Sequence, residues 1–421
     1  MSTGTAGMLL KLIKFAAVCV AFIAGVSHAA AHGERAQEPY LRTRTVQFYD
    51  VHFSKTEVKV NERFELTGKF RLMQDWPDAV TPPDIVFVSS ISPGPTIARI
   101  ETYLNGWPAR QSFARLELGR DYEFRMVLEG RTPGSSHIHP SISIKGSGPL
   151  VGPGQWVNIS GEAHSFAFPI KTMTGLQIED LQTFGLAHAV GWHLAWLAVA
   201  AAWLSFWLAR PLILPRWLVL QKGREDLLIS LRDTGAGIIV SAIVLVMVFG
   251  GYVRASAEYP YNVPLQSGLN RVAPLPASPA YAEIKVISAT YDVPGRSMRL
   301  ATQITNKGSE PLSIGELTTA NIRFLNQSLP VAMANVDPSY PRDLIARTGL
   351  KLSSDTPINP GETREVRVEA TDAVWELERL VSFLTDVDSK FGGLLLLYAP
   401  NGERVIAEMG GPIVPVFTEL K

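Results

Sequence analysis

The sequence is almost without thiol: its single cysteine, Cys19, lies in an apolar leader. Disulfides, thiolate metal sites and a cysteine nucleophile are therefore excluded from the rest of the chain, and any metal must be held by nitrogen and oxygen. Net charge is absent as well. Lysine plus arginine and aspartate plus glutamate both total 39, which leaves no positive excess for nucleic acid or another polyanion. Histidine is sparse, with eight residues and none beyond His193. The C-terminal part thus lacks imidazole and thiol alike and cannot form a copper site of the His–Cys type. A scaffolding role is expected there.

Three long apolar runs are present. Lys11 and Lys14 precede the run 15–26, and Ala29, Ala30 and Ala31 then offer the small residues that signal peptidase needs. This pattern predicts a secretory signal over 1–31, too short in its apolar core to span a membrane. Cleavage after Ala31 leaves His32 first; a cut after Ala30 would leave Ala31 first. Segments 187–208 and 235–253 hold no Asp, Glu, Lys or Arg. Each is close to the roughly 20 apolar residues that cross a bilayer. Trp192, Trp196, Trp203 and Trp207 recur along the first and suit interface anchoring and helix packing. The loop 209–234 carries Arg210, Arg216, Lys222, Arg224 and Arg232 against three carboxylates, and short basic loops stay cytoplasmic. Parts 32–186 and 254–421 are then periplasmic, in a two-pass protein of a bacterial inner or intracytoplasmic membrane.

Both outer parts read as β-rich. Phe64, Leu66, Phe70 and Leu72 share one parity, as do Tyr122, Phe124, Met126 and Leu128, which predicts strands with one buried face. Turn-rich pieces at 81–84, 92–95 and 152–154 separate such runs, as in a sandwich or barrel. The C-terminal part repeats the style at Ile284 and Val286, then Met298, Leu300 and Ile304, with Asn401-Gly402 as a hairpin turn. Five prolines within 259–279 predict an extended linker.

The chemistry must come from histidine. His137 and His139 sit at i and i+2, which on a strand places both on one face about 7 Å apart, and Pro140 biases His139 toward extended backbone. Such a pair is either a solvated strand feature or half of a metal site. A processed N-terminus at His32 adds an α-amine and an imidazole, so three residues supply four nitrogen donors. A sulfur-free nitrogen set that approaches a square plane favours copper; zinc accepts imidazole too. His52 and His164 read as surface or loop residues. His188 reads as facing the interface, and His193 as hydrogen-bonding a partner helix. Glu34 and Asp50 read as salt-bridge residues, with steadying a histidine as the alternative.

The blocks HGERAQEPYLRTRTVQFYDV from His32, GRDYEFRMVLEGRTPGSSHIHP from Gly119 and GPLVGPGQW from Gly148 resemble the B subunit of particulate methane and ammonia monooxygenases. So do ARPLILPR, YPYNVPLQSG, YDVPGRSMRL, SKFGGLLLLYAPNGER and GPIVPVF, in order along the mature chain. The resemblance implies a mainly β protein with two periplasmic cupredoxin-like β-barrel or sandwich domains joined by two transmembrane α-helices. It also implies assembly with A and C subunits as a trimer of three-subunit protomers, and one copper on His32, His137 and His139. A further histidine of some relatives is replaced here by Gln47, and another by Arg71, which argues against a second copper.

The expected function is the copper-binding subunit of an ammonia monooxygenase, oxidising ammonia to hydroxylamine with O2. Methane or a short hydrocarbon is the alternative substrate, and copper storage or delivery, or a pure scaffold, the alternative class. The stretch from Tyr340 and the C-terminal VFTELK favour ammonia. Membrane lipid and a quinol or other electron donor are the remaining partners, and no catalytic residue is assigned.

Overall fold

Strict alternation of buried and open side chains builds the two outer parts. In the strand Arg63–Leu72, Phe64, Leu66, Phe70 and Leu72 are buried, and in Asp121–Gly130 so are Tyr122, Phe124, Met126 and Leu128. A two-residue period turns one set of side chains to a core. The computed structural model describes residues 35, 37–109, 113–172, 175–209, 213–260, 271–277, 281–385 and 388–417. The leader, His28, His32, Glu34 and much of the 259–279 linker lie outside the described residues.

The chain divides into two units, one of residues 1–166 with 269–421 and the other of 167–268. The first holds two β-sandwich domains. In the N-terminal domain one sheet orders Val46–Phe53, Arg63–Leu72, Asp121–Gly130, Ile97–Leu104 and Trp107–Pro108. The other orders Glu57–Lys59, Gln155–Ser160, Gly134–Ile144, Ile85–Ile91 and Phe113–Ala114, and Gly148–Val151 also pairs with Gly134–Ile144. Phe48, Phe70, Phe124 and Tyr122 pack in the core between the sheets. The linker stretch 271–277 docks on this domain: Leu275 donates its N–H to Asp121 O at 2.8 Å, and Val272 is buried.

The C-terminal domain repeats the plan. Ala282–Asp292, Ser297–Asn306 and Thr363–Thr371 lie at the centre of one sheet, and Ser313–Thr319 with the hairpin Lys390–Tyr398 and Arg404–Pro412 form most of the other. The expected turn is there: Gly402 has φ +84°, which a side chain disfavours, and Tyr398 pairs with Arg404.

In the second unit two helices, Leu186–Leu208 and Leu231–Glu258, are long and apolar enough to cross a membrane. Their 23 and 28 residues rise about 34 and 42 Å against a hydrocarbon core of about 30 Å. The second helix begins four residues before the apolar run because Ser230 and Asp233 cap it reciprocally, an S-x-x-D signature. The loop between the helices holds a further short helix, Ile213–Gln221.

Candidate metal centre

The strand Gly134–Ile144 turns Ile138, Ile142 and Ile144 into the core. Parity then puts His137, His139 and Ser141 on the opposite face. That face is covered: His139 is 3% exposed and Ser141 fully buried. The cover is the turn 152–154, between two strands that both pair with the histidine strand. His139 Nδ1–H donates to Gly152 O at 3.0 Å, and His137 Nε2–H donates to Gly154 O at 3.1 Å. A carbonyl only accepts, so these contacts fix which nitrogen of each neutral ring carries the proton. Nε2 of His139 and Nδ1 of His137 are left facing each other at 2.9 Å.

Two nitrogens bound at about 2.0 Å lie about 2.8 Å apart at a right angle and about 3.3 Å apart at the tetrahedral angle. The observed separation suits neighbouring corners of a square plane. As a hydrogen bond, the same contact would need a third proton on the pair, since both neutral-ring protons already point at carbonyls. Ring N–H groups held by backbone carbonyls, with the other nitrogens converging, are the usual support of metal-bound histidine. The donor set therefore fits a cation. Across the ladder Trp156 lies opposite His137, its ring centroid 4.8 Å away and its side chain 46% exposed.

The segment that follows His32 is pinned beside this face. Gln37 accepts from Val151 N–H at 3.0 Å and donates to Pro149 O, and Val151 pairs with Ser141, two residues from His139. Arg35 and Arg42 both reach Glu378 of the C-terminal domain, at 2.8 and 3.0 Å.

The two positions expected to lack metal ligands are engaged otherwise. Gln47 is fully buried; it donates to Arg42 O and Thr43 O at 2.7 and 2.8 Å and accepts from Ala320 N–H at 3.1 Å. Arg71 bridges Asp121 at 2.6 Å and Glu408 at 3.2 Å. Asp50 forms an ion pair, two-pronged with Arg404 and 3.6 Å from Lys69. Burial pushes its carboxyl up, but the hydrogen bond and charge of Arg404 outweigh that and hold it below the usual carboxylate range.

Three of the other histidines, His52, His188 and His193, have partners that the sequence did not reveal. His52 is half exposed, yet its Nδ1 lies 2.8 Å from Asp337 and links the two β domains; strand pairing gave no hint of it, because Asp337 is distant in sequence. His193 has one ring nitrogen engaged within its own helix. Its Nδ1–H donates to Ala189 O of its own helix at 2.7 Å, as a side chain four residues on can reach. His188 accepts from Trp192 Nε1–H at 2.8 Å, and His164 is exposed in a loop. Among the described residues no three His, Cys, Asp or Glu side chains gather around one point. The sequence reading missed Gly152, Gly154 and Trp156, since a Gly-Pro-Gly turn shows its chemistry only when its strand partner is known.

Residues 33–417 match the monooxygenase B subunit protein family. The chain is 39% identical over 390 residues to the "Particulate methane monooxygenase alpha subunit" of Methylococcus capsulatus (strain Bath), covering 92% of this chain and 93% of that protein. Among solved structures, the cupredoxin domain of amoB from Nitrosocaldus yellowstonii aligns at 16% identity with a TM-score of 0.24, covering 32% of this chain and 98% of that one.

Proposed function

Because the chain belongs to the monooxygenase B subunit family, we propose that it is the copper-holding subunit of a membrane-bound oxygenase that converts ammonia to hydroxylamine with O2. The observation that carries this reading is the pair of imidazoles whose carbonyl-bound N–H groups leave Nδ1 of His137 and Nε2 of His139 converging. His32, exposed as the first residue once 1–31 is removed, adds its amine and ring. Four nitrogens and no thiolate favour copper over zinc, which prefers a tetrahedron.

When bound, copper supplies the one-electron and O2 chemistry that no side chain here provides. This chain's residues do the holding. His137 and His139 present lone pairs, the carbonyls of Gly152 and Gly154 keep their other nitrogens protonated, and Gln37 ties the N-terminal segment to the neighbouring strand. The C-terminal domain, without histidine or cysteine, braces that segment through Glu378. The two apolar helices anchor the subunit, with the basic loop cytoplasmic, both β domains periplasmic, and A and C subunits as partners.

Replacing His137 and His139 together with alanine is expected to remove one copper per protomer and its nitrogen-coupled Cu(II) signal from the purified complex. Retention of both would refute the copper reading. N-terminal sequencing of the processed chain should begin at His32. The relative named for methane favours methane as the second substrate reading; competing ammonia against methane on the complex separates the two.

A further inference from the structure

The turn over the histidine pair is a register fault in the sheet. Val151 pairs with Ser141 and Gln155 pairs with Ile138, so three residues, 152–154, face two, His139 and Pro140. One extra residue makes a β-bulge, a feature that re-aims side chains and gathers beside active sites. Pro140 belongs to the same device. Its carbonyl accepts from Gly152 N–H at 2.8 Å, so its nitrogen also faces the bulge, and proline has no N–H to offer there. The Gly152 carbonyl is thereby left to the His139 ring.

Gly154 completes it. A Cβ built on Gly154 would lie 2.2 Å from Cε1, 2.4 Å from Nδ1 and 2.6 Å from Nε2 of His139. The ring rests on this backbone. Gly154 is not among the residues with positive φ, so the obstacle to a side chain there is steric, and its three nearest atoms all belong to the imidazole. We propose that the bulge, with Gly154 and Pro140 as its positioning residues, converts two strand histidines into a chelate by fixing which nitrogens face inward. This rests on the copper reading above and adds the residues that prepare the ligands.

The test uses the intact membrane complex carrying Gly154→Ala, titrated with copper alone. Copper affinity should fall about 10- to 100-fold, as for other residues that support metal ligands, with changed nitrogen hyperfine structure in the Cu(II) spectrum. Pro140→Ala restores a backbone N–H that competes with His139 for Gly152 O, and it should change the same spectrum even if Gly154→Ala does not assemble. Wild-type affinity and an unchanged spectrum in an assembled variant would overturn the proposal. Loss of copper in the double histidine variant, with Gly154→Ala unaffected, would sink this inference alone; copper retained in the double variant would sink the reading beneath it.

Discussion

Gln47 and His139 belong to one domain, and both are buried polar side chains with contrary uses. All three contacts of the Gln47 amide end on backbone groups, two in the segment before its strand and one in the C-terminal domain. Truncation to alanine leaves those groups without partners, each worth about 1–3 kcal/mol. Gln47→Ala should therefore lower the thermal midpoint of the complex while leaving its copper content unchanged; lost copper at an unchanged midpoint would show a metal role instead. His139 has one nitrogen on backbone and the other turned toward His137, the arrangement of a ligand. At this scale the histidine spacing was legible because a strand repeats every two residues. The proton positions were not, since they depend on carbonyls more than ten residues onward.

The elements divide along similar lines. Period-two runs marked the strands, and apolar length marked both long helices, because burial and membrane insertion act on local sequence. Helix ends follow from caps. Ser230 Oγ accepts from Asp233 N–H at 3.3 Å, and Asp233 accepts from Ser230 N–H at 2.8 Å. Ser230→Ala should destabilise the start of the second long helix by about 1 kcal/mol, measurable as faster amide exchange over the first turn of that helix. Unchanged exchange there would deny the cap its role. The bulge at 152–154 escaped the sequence reading for a different reason: a bulge is a mismatch between two strands, and neither strand alone contains it.

Across the first unit the two β domains meet through an apolar cluster of Tyr49 and Met73 with Ala332, Leu394, Leu396 and Tyr398, and through ion pairs. Arg42 with Glu378, Arg404 with Asp50, Arg71 with Glu408 and His52 with Asp337 all cross between them. The Arg42–Glu378 pair is almost wholly buried, and Arg35 also pairs with Glu378, so it is removal of Glu378 that strands a buried charge, on Arg42, a loss of about 3–5 kcal/mol. Asp50 and Asp337 both have carboxyls held below the usual range. Burial pushes each up, and it is outweighed by Arg404 at Asp50 and by Ser339 and His52 at Asp337. A depressed carboxyl stabilises the folded state above its unfolded pKa of about 3.9, and that stability is lost as pH falls through the folded value. The thermal midpoint should thus decline below about pH 4, with a shallower decline in Asp50→Asn; equal slopes would remove Asp50 from the linkage. From the sequence alone came the absence of thiol, the apolar spans, the alternating strands and the paired histidines, because each is written in composition or local periodicity. Tertiary structure alone decided which nitrogens converge, what covers them and how the histidine-free domain braces the N-terminal segment, because those contacts join residues that only strand register and domain packing bring together.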